Sequence, residues 1–200
     1  MNVSQKYKEA HGFTKEKIAD TMLALYARID ARSAEIESKL AEKGIKLHCH
    51  AGCHSCCLDH LTVTQSEAAV IRKLFPNIGK EKPHAAGACA FLDEKGLCRI
   101  YAARPYICRT HGLPMRTEVS YWEAVEMGVI EESPDADTEE SFELRDICEL
   151  SEDAVDVENL ADECCWSSDV AESQLGMIEL CTFGEGKRIP MRSFFECCKS

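Results

Sequence analysis

The chain has 200 residues, of which 45% are hydrophobic, and a formal net charge of −12. This length and composition suit one globular domain, alone or with an appended segment. The amino-terminal stretch is polar and no run of 18 apolar residues occurs, so we expect neither a signal peptide nor a membrane span, and a cytoplasmic location. In a reducing compartment, 13 cysteines are better explained as metal ligands or redox thiols than as a disulfide scaffold.

The charge is unevenly distributed along the chain. Residues 1–117 carry 18 basic and 12 acidic side chains, whereas residues 118–172 carry one basic and 20 acidic side chains. Contacts with phosphates need Lys and Arg, so the acidic region is not expected to bind nucleic acid. We predict that it is a solvated helical face, with a surface for a protein partner as the alternative.

A long amphipathic helix is predicted near the amino terminus. Thr14 is a suitable N-cap and Gly44 a suitable C-cap. The apolar residues between them recur at helical spacings: Ile18, Met22, Leu25, Ile29, Ile36 and Leu40. The pattern lapses at Arg32 and Ser33, which favours packing against the rest of the chain over a coiled-coil dimer.

The next stretch, residues 49–57, is unusually rich in metal-ligating side chains. It reads Cys-His-Ala-Gly-Cys-His-Ser-Cys-Cys, with four sulfurs and two imidazoles in nine residues. Buried core cysteines have no need of short fixed spacings, whereas metal ligands do. Gly52 gives a loop the backbone freedom to wrap around an ion. We therefore predict a metal-binding loop.

Three further cysteines follow at Cys89, Cys98 and Cys108. The turn sequence at residues 93–96 predicts a short hairpin that brings the first two sulfurs together. Pro105 disfavours a helical conformation of the residue before it, so Cys108 is expected on irregular chain near the first cluster.

A second helix is predicted between the two groups of cysteines. Thr64 and Glu67 form a capping-box pattern at its start, and Pro76 stops it.

Arginines interleave with these cysteines. Four thiolates around a divalent ion or an oxidised 4Fe-4S core leave about two net negative charges. Guanidinium groups can offset that charge and donate hydrogen bonds to sulfur. We predict that Arg104 and Arg109 contact the cofactor.

The pattern resembles the YkgJ-like cysteine-cluster family, to which zinc or iron chelation is attributed. The resemblance covers roughly residues 45–115 and rests on four motifs: Cys49-x3-Cys53-x2-Cys56-Cys57, Cys89-x-Phe91-Leu92, Gly96-x-Cys98-x-Ile100-Tyr101 and Arg104-Pro105-x-x-Cys108-Arg109. The first spacing in the family is most often Cys-x2-Cys, so either Cys49 or His50 is the first ligand here.

The resemblance implies bound zinc or iron, and Cys148 corresponds to an eighth family cysteine. Four cysteines can hold either a zinc ion or a 4Fe-4S cluster, which are the predicted cofactors. The predicted metal ligands are Cys49, Cys53, Cys56, Cys57, Cys89, Cys98, Cys108 and Cys148. His54 and His111 are further candidate ligands. Thiolates suit both metals, and seven or eight cysteines can build two closed sites or one larger cluster.

Further helices are predicted from Tyr121 to a break at residues 133–135, then around residues 141–150 and 154–166. The remaining cysteines lack the loop spacing of the first group: Cys164, Cys165, Cys181, Cys197 and Cys198. As an alternative, either Cys-Cys pair, 164/165 or 197/198, folds back and completes a site. The predicted fold is therefore mainly α, with a small irregular metal-binding module among helices and little or no β structure. We divide it into an amino-terminal helix (1–44), a cysteine module (45–117) and an acidic helical segment with a cysteine-containing tail (118–200).

An S-adenosylmethionine-linked iron-sulfur enzyme is the alternative function. The spacing Cys49-x3-Cys53-x2-Cys56 is also that of radical S-adenosylmethionine enzymes, and some relatives in the resembled family are associated with lysine methylation. Ser55, however, stands where radical enzymes usually have an aromatic residue, and the strand-helix repeats of their barrel are missing. No Ser/His/Asp set, P-loop or Rossmann glycine pattern occurs. Metal binding with an electron-transfer, metal-handling or structural role therefore ranks above catalysis.

Overall fold

A computed structural model describes residues 13–135, 137–184 and 186–198. These residues form five α-helices: α1 (Ile18–Glu42), α2 (Gln65–Leu74), α3 (Tyr106–Thr110), α4 (Tyr121–Glu126) and α5 (Asp169–Phe183). They form five strands: β1 (Thr62–Val63), β2 (Met115–Ser120), β3 (Ser141–Asp146), β4 (Trp166–Ser167) and β5 (Ile189–Pro190). Short 3-10 helices lie at Ile78–Lys80, Tyr101–Ala103, Glu149–Ala154, Asp162–Cys164 and Met191–Cys198.

Helix α1 confirms the predicted amphipathic helix. All six residues of its predicted apolar stripe are buried, and the helix packs against α2, α3, α5 and the 3-10 helix Asp162–Cys164. The stripe therefore forms part of the core of this chain. Gly44, at φ +75°, ends the helix, since the Gly44 and Ile45 amides donate to the carbonyls of Ala41 and Leu40 at 2.9 Å. The start lies later than predicted, with Lys17 as the N-cap.

Helix α2 has the predicted capping box, and a second carboxylate lies at the same end. The Thr64 hydroxyl accepts from the Glu67 amide, and the Glu67 carboxylate accepts from the Thr64 amide. Glu179 of α5, which is only 4% exposed, accepts from the Ser66 amide at 2.9 Å and from its hydroxyl at 2.5 Å. Both carboxylates satisfy free amide groups of the first turn and complement the helix dipole.

The prediction of a mainly α fold with little or no β structure is wrong. Strand β2 pairs antiparallel with β3 along its whole length and parallel with β4. Residues 141–146 were expected to be helical, but half-buried Phe142 and Leu144 alternate with exposed Ser141 and Glu143, which is the two-residue period of a strand. The strand needs the distant β2 as its partner, and this pairing overrides the helical preference of the acidic residues.

Two other segments of the carboxyl-terminal half also differ from the prediction. The helix expected over residues 154–166 is replaced by a 3-10 turn and by the start of β4, whereas α5 was not predicted. Strand β5 pairs antiparallel with β1, which brings the end of the chain beside the cysteine loop. Among the described helices, none is both long and apolar enough to cross a membrane.

Candidate metal centre

The first cysteine cluster lies on a loop of consecutive turns between α1 and β1. The Cys53 amide donates to the carbonyl of His50, and the Cys57 amide donates to that of His54, both at 3.0 Å. Gly52 adopts φ +94°, the left-handed conformation that glycine tolerates best. Four cysteines are thereby placed on a compact loop, as predicted from their spacing.

Cys49 is held by two distant parts of the chain. A Cβ atom on Gly112 would lie 2.5 Å from the Cβ of Cys49 and 2.7 Å from its sulfur, so the approach requires glycine. The amide of His48 donates to the hydroxyl of Ser151 at 3.0 Å, which brings the 3-10 helix that follows Cys148 to the same place. Burial raises the pKa of the Cys49 thiol, and neighbouring thiolates raise it further. Those neighbours are Cys53, Cys56 and Cys148.

Cys89 and Cys98 are joined by the predicted hairpin. Leu92 and Cys98 form an antiparallel bridge, and the Asp93 carboxylate accepts from the amides of Lys95 and Leu97 at 2.8 Å. Burial raises the pKa of the Cys98 thiol, and the nearby Cys89 thiolate raises it further. The hairpin is tied to the first loop because the Cys89 amide donates to the carbonyl of Cys57 at 2.8 Å.

Cys108 lies on α3, and its expected position on irregular chain is wrong. Arg104 is extended as predicted, at φ −51° and ψ 133°, but Pro105 then forms the N-cap of a new helix, a position where its missing amide hydrogen costs nothing. Burial raises the pKa of the Cys108 thiol to about 12, and the thiolates of Cys89, Cys98 and Cys56 contribute to the rise.

Cys56 and Cys57 connect two groups of sulfurs. A hydrogen bond between their side chains lowers the pKa of Cys56 and raises that of Cys57. The negative charges of the Cys89 and Cys108 thiolates also raise the pKa of Cys57. We group the eight predicted ligands by these effects into an outer set, Cys49, Cys53, Cys56 and Cys148, and an inner set, Cys57, Cys89, Cys98 and Cys108; Cys56 acts on members of both sets. As these side chains are oriented, no group of three or more His, Cys, Asp or Glu residues in the described part of the chain converges closely enough to hold a metal ion.

The three candidate histidine ligands, His50, His54 and His111, differ in their contacts. His111 is close enough to the outer set for its charge to lower the pKa of Cys56, although the hydrogen bond from Cys57 has the larger effect. The ring of His54 packs 2.6 Å from where a Cβ on Gly96 would lie. His50 Nδ1 lies 2.9 Å from the carbonyl of Ala51.

Arg104 faces the cysteines. Its guanidinium stacks on the ring of Tyr101, 3.7 Å from the centroid, and one terminal nitrogen donates to the carbonyl of Cys108 at 3.4 Å. The buried Nε finds no hydrogen-bond partner among the described residues. The positive charge acts against the burial that raises the pKa of Cys49 and Cys98.

Arg109 uses its donors to join helices. Its side chain is 4% exposed, and it donates to both carboxylate oxygens of Asp30 in α1, at 2.7 and 2.6 Å. Its remaining donors bind the carbonyls of Arg104 and Ala102, both at 2.8 Å. The guanidinium also lies over the ring of Tyr26, 4.1 Å from the centroid. These contacts fix the helix that carries Cys108 against α1.

Two residues that support the site were not found from the sequence. Arg192 and Asp59 form an ion pair, and Arg192 also donates to backbone carbonyls between residues 84 and 88. Arg192 follows β5, 133 positions from Asp59. No local pattern links residues so far apart, whereas the pairing of β5 with β1 does.

The cysteines that were not predicted as ligands lie outside the two sets. Cys164 and Cys165 are buried, and the thiol of Cys165 donates to the carbonyl of Ala161 at 3.8 Å. The sulfur of Cys181 lies 3.6 Å from that of Met177 on α5. The side chains of Cys197 and Cys198 fall outside the described residues.

The structure is thus a mixed α/β fold that carries the eight cysteines on four segments: residues 49–57, the 89–98 hairpin, α3 and the segment at Cys148. The model of one family, CxxCxxCC, described as "Putative zinc- or iron-chelating domain", matches residues 48–165. The chain belongs to this family, and the match extends beyond the 45–115 region of the resemblance to include Cys148. Comparisons with curated proteins and with solved structures found no match.

Proposed function

We propose that the eight cysteines bind zinc or iron through two neighbouring four-thiolate sites, and that the protein handles metal or transfers electrons and is not a catalyst. The outer set would form one site and the inner set the other. The observation that carries the proposal is that three contacts bring the cysteine-bearing segments together. The Cys89 amide donates to the carbonyl of Cys57, Gly112 packs against Cys49, and the His48 amide donates to the Ser151 hydroxyl. Both metals accept four thiolate ligands.

The donor chemistry fits this cofactor, and the protonation of the thiols explains how binding would proceed. Thiols whose pKa is raised by burial are neutral at pH 7, and a metal must displace their protons. The positive ion then offsets the mutual repulsion of the thiolates, so rotation of the cysteine side chains would bring the sulfurs together on binding. Metal binding and final ordering of the loop are therefore coupled.

Arg104 is suited to stabilise the filled site. A site with four thiolates carries about two net negative charges. The guanidinium of Arg104 lies beside both sets, and its Nε is a donor without a partner among the described residues. It would donate to a ligand sulfur once the thiolates form. Arg109 supports the site indirectly through its bonds to Asp30 and the backbone.

The first experiment is elemental analysis with an absorption spectrum on protein purified without oxygen. About four irons per cluster, with broad absorption near roughly 400 nm that bleaches on reduction, would assign 4Fe-4S chemistry and electron transfer. A colourless protein with about two zincs per chain would assign closed zinc sites and a metal-handling or structural role. A protein that purifies without either metal and does not take up either would contradict the proposal.

Serine variants test the two sets separately. Cys53→Ser removes an outer ligand and Cys108→Ser an inner ligand, so each should lower the metal content by about half if one tetrahedral ion fills each set. Cys181→Ser is the control because this cysteine lies beside Met177 on α5, and its metal content should be unchanged. Equal metal content in all three variants would refute the assignment.

A further inference from the structure

Residues 118–140, from the end of β2 to the start of β3, form a compact unit outside the two cysteine sets. Tyr121 and Ala124 of α4 are 3% and 0% exposed, so one side of this helix is buried. The Ser133 amide donates to the hydroxyl of Tyr121 at 2.7 Å, and the Val129 amide donates to the carbonyl of Ala124 at 2.9 Å. The chain after α4 is thus folded back on the helix. A preformed surface of this kind lowers the entropy cost of binding.

Three large apolar side chains of this unit face solvent. Trp122, Met127 and Val129 are 55%, 62% and 48% exposed. The ring of Trp122 packs edge-on against the buried ring of Tyr121, with the centroids 5.1 Å apart, which holds its orientation. Exposed apolar groups of this size mark interaction surfaces, and tryptophan contributes more binding free energy than most residues at such surfaces.

The charge around these side chains is negative and is not neutralised. Residues 118–140 contain nine acidic side chains and no lysine or arginine. All nine are exposed: Glu118, Glu123, Glu126, Glu131, Glu132, Asp135, Asp137, Glu139 and Glu140. None of the nine forms an ion pair with any residue that the structure describes. The nearest arginines along the chain, Arg116 and Arg145, pair instead with Glu143 and Asp162. We call residues 118–140 the acidic unit.

We propose that the acidic unit docks a cationic and partly apolar segment of another protein, whose Lys or Arg side chains meet the carboxylates while an apolar side chain packs on Trp122. Complementary charge steers such a partner to the surface and selects against others. Nucleic acids and anionic membranes present phosphates, which unpaired carboxylates repel. The indole adds an apolar contact that charge alone does not provide. The acidic unit contains none of the candidate metal ligands, so this proposal does not depend on the proposed function.

The first test uses a synthetic peptide of about 14 residues in which leucine and lysine recur at helical spacing. Calorimetric titration into the full-length protein should show saturable binding that weakens as salt is raised, because salt screens exposed charges. Tryptophan emission should shift to shorter wavelength, and acrylamide should quench it less. The peptide would cover exposed Trp122, whereas Trp166 is already buried.

Two variant peptides separate the effect of charge from that of the apolar contact. A peptide with serine in place of leucine keeps the positive charge and should bind at least about tenfold more weakly. A peptide with glutamate in place of lysine keeps the leucines and should not bind, because its charge has the same sign as that of the acidic unit.

A variant of the protein tests the tryptophan. Trp122→Ala should weaken binding of the lysine-leucine peptide at least about tenfold. Val170→Ala is the control, since Val170 is a large apolar residue of α5 that is 67% exposed, and it should bind the peptide as the parent protein does. Both side chains are exposed, so neither substitution removes a core contact.

Paired substitutions test the carboxylates. Glu126→Gln with Glu132→Gln should weaken binding about tenfold, because two charges that face the peptide are lost. Glu37→Gln with Glu42→Gln changes the net charge of the protein equally at exposed positions of α1, and it should weaken binding less than about twofold.

Several results would overturn the proposal. Equal binding of the serine-containing peptide, or equal weakening by the two pairs of glutamine substitutions, would show attraction to the overall charge of the protein and no specific surface. Binding unaffected by both Trp122→Ala and the Glu126/Glu132 pair would place the peptide elsewhere. A dimer in sedimentation experiments that Trp122→Ala dissociates would assign the surface to a second copy of this chain.

Discussion

Arg192 shows how a single side chain positions two segments of the candidate metal centre. It forms an ion pair with Asp59, two residues after Cys57, and donates to the carbonyls of His84 and Ala88 at 2.9 and 3.0 Å. Asp59 in turn accepts from the amide of Gly87 at 3.1 Å. The planar guanidinium can serve several acceptors at fixed directions, which lysine cannot. The segment that leads into Cys89 is thereby held beside the end of the first cysteine loop.

The pairing of Asp59 with Arg192 predicts a pH dependence of stability. The hydrogen bond from Arg192 and that from Gly87 hold the pKa of Asp59 below its usual value. A lowered pKa in the folded state stabilises the fold above the unfolded pKa of about 3.9, and this contribution is lost as the pH falls through the folded pKa. Asp59→Asn should therefore lower Tm at pH 7 but change it little at pH 2.5.

Thermal melts followed by circular dichroism between pH 7 and pH 2.5 measure this difference. Asp153→Asn removes the same charge at an exposed position and serves as the control, with a small effect throughout. A Tm difference for Asp59→Asn that is as large at pH 2.5 as at pH 7 would assign its effect to packing and not to the ion pair.

At the scale of elements, the start of α2 connects the core to the helix that carries Cys108. Glu67 is 3% exposed and accepts from the Thr64 amide at 2.8 Å and from the Tyr106 amide at 2.9 Å. It therefore caps α2 and also receives the first amide of α3. Helix α4 has the same capping box, formed by Ser120 and Glu123, at an exposed position.

These two capping boxes provide a matched pair of variants. Glu67→Gln places an amide donor against the buried amides that the carboxylate now accepts from, so it should cost about 2 kcal/mol, or roughly 6 °C of Tm. Glu123→Gln should cost no more than about 0.5 kcal/mol, because its hydrogen bonds are exchanged with water. Calorimetric melts compare the two. Equal losses of stability would show that Glu67 contributes nothing beyond its cap.

At the scale of the whole molecule, three of the cysteine-bearing segments have little regular secondary structure. The first loop, the hairpin at residues 89–98 and the segment around Cys148 contain turns and a single bridge. A segment with few helix or sheet hydrogen bonds depends more on a bound metal for its folded conformation. The free energy of metal binding then contributes directly to the free energy of folding.

Removal of the metal should therefore lower stability strongly. We expect chelation to reduce Tm by more than about 10 °C, because structural zinc contributes on the order of 10 kcal/mol to small domains. Differential scanning calorimetry before and after chelation measures the change, with elemental analysis to verify removal. Adding back the native metal should restore Tm, and Mg²⁺ should not, because it prefers oxygen ligands. An unchanged Tm after complete removal would place the metal outside the folding unit.

Local spacing predicted those features that depend only on nearby residues. The stripe of α1 follows the helical period, the capping box of α2 spans three residues, and the hairpin between Cys89 and Cys98 follows from a turn sequence. The same spacing indicated a family of metal-chelating proteins. These features were accessible because the interacting groups lie within a few turns of each other.

Contacts between residues far apart in the chain determined the features that the local patterns did not predict. The helices expected at residues 141–150 and 154–166 gave way to strands and 3-10 turns because β2 supplies hydrogen bonds that neither segment finds alone. The hydrogen bond from the His48 amide to the Ser151 hydroxyl brings the segment of Cys148 close to Cys49. Arg109 forms an ion pair with Asp30, which lies 79 positions away in the chain. Sequence alone thus determined the types of the candidate ligands and their local order, whereas the tertiary structure decided which cysteines become neighbours. Residue type and short spacing specify which side chains can coordinate a metal, but distant segments come close together only when the hydrophobic core forms.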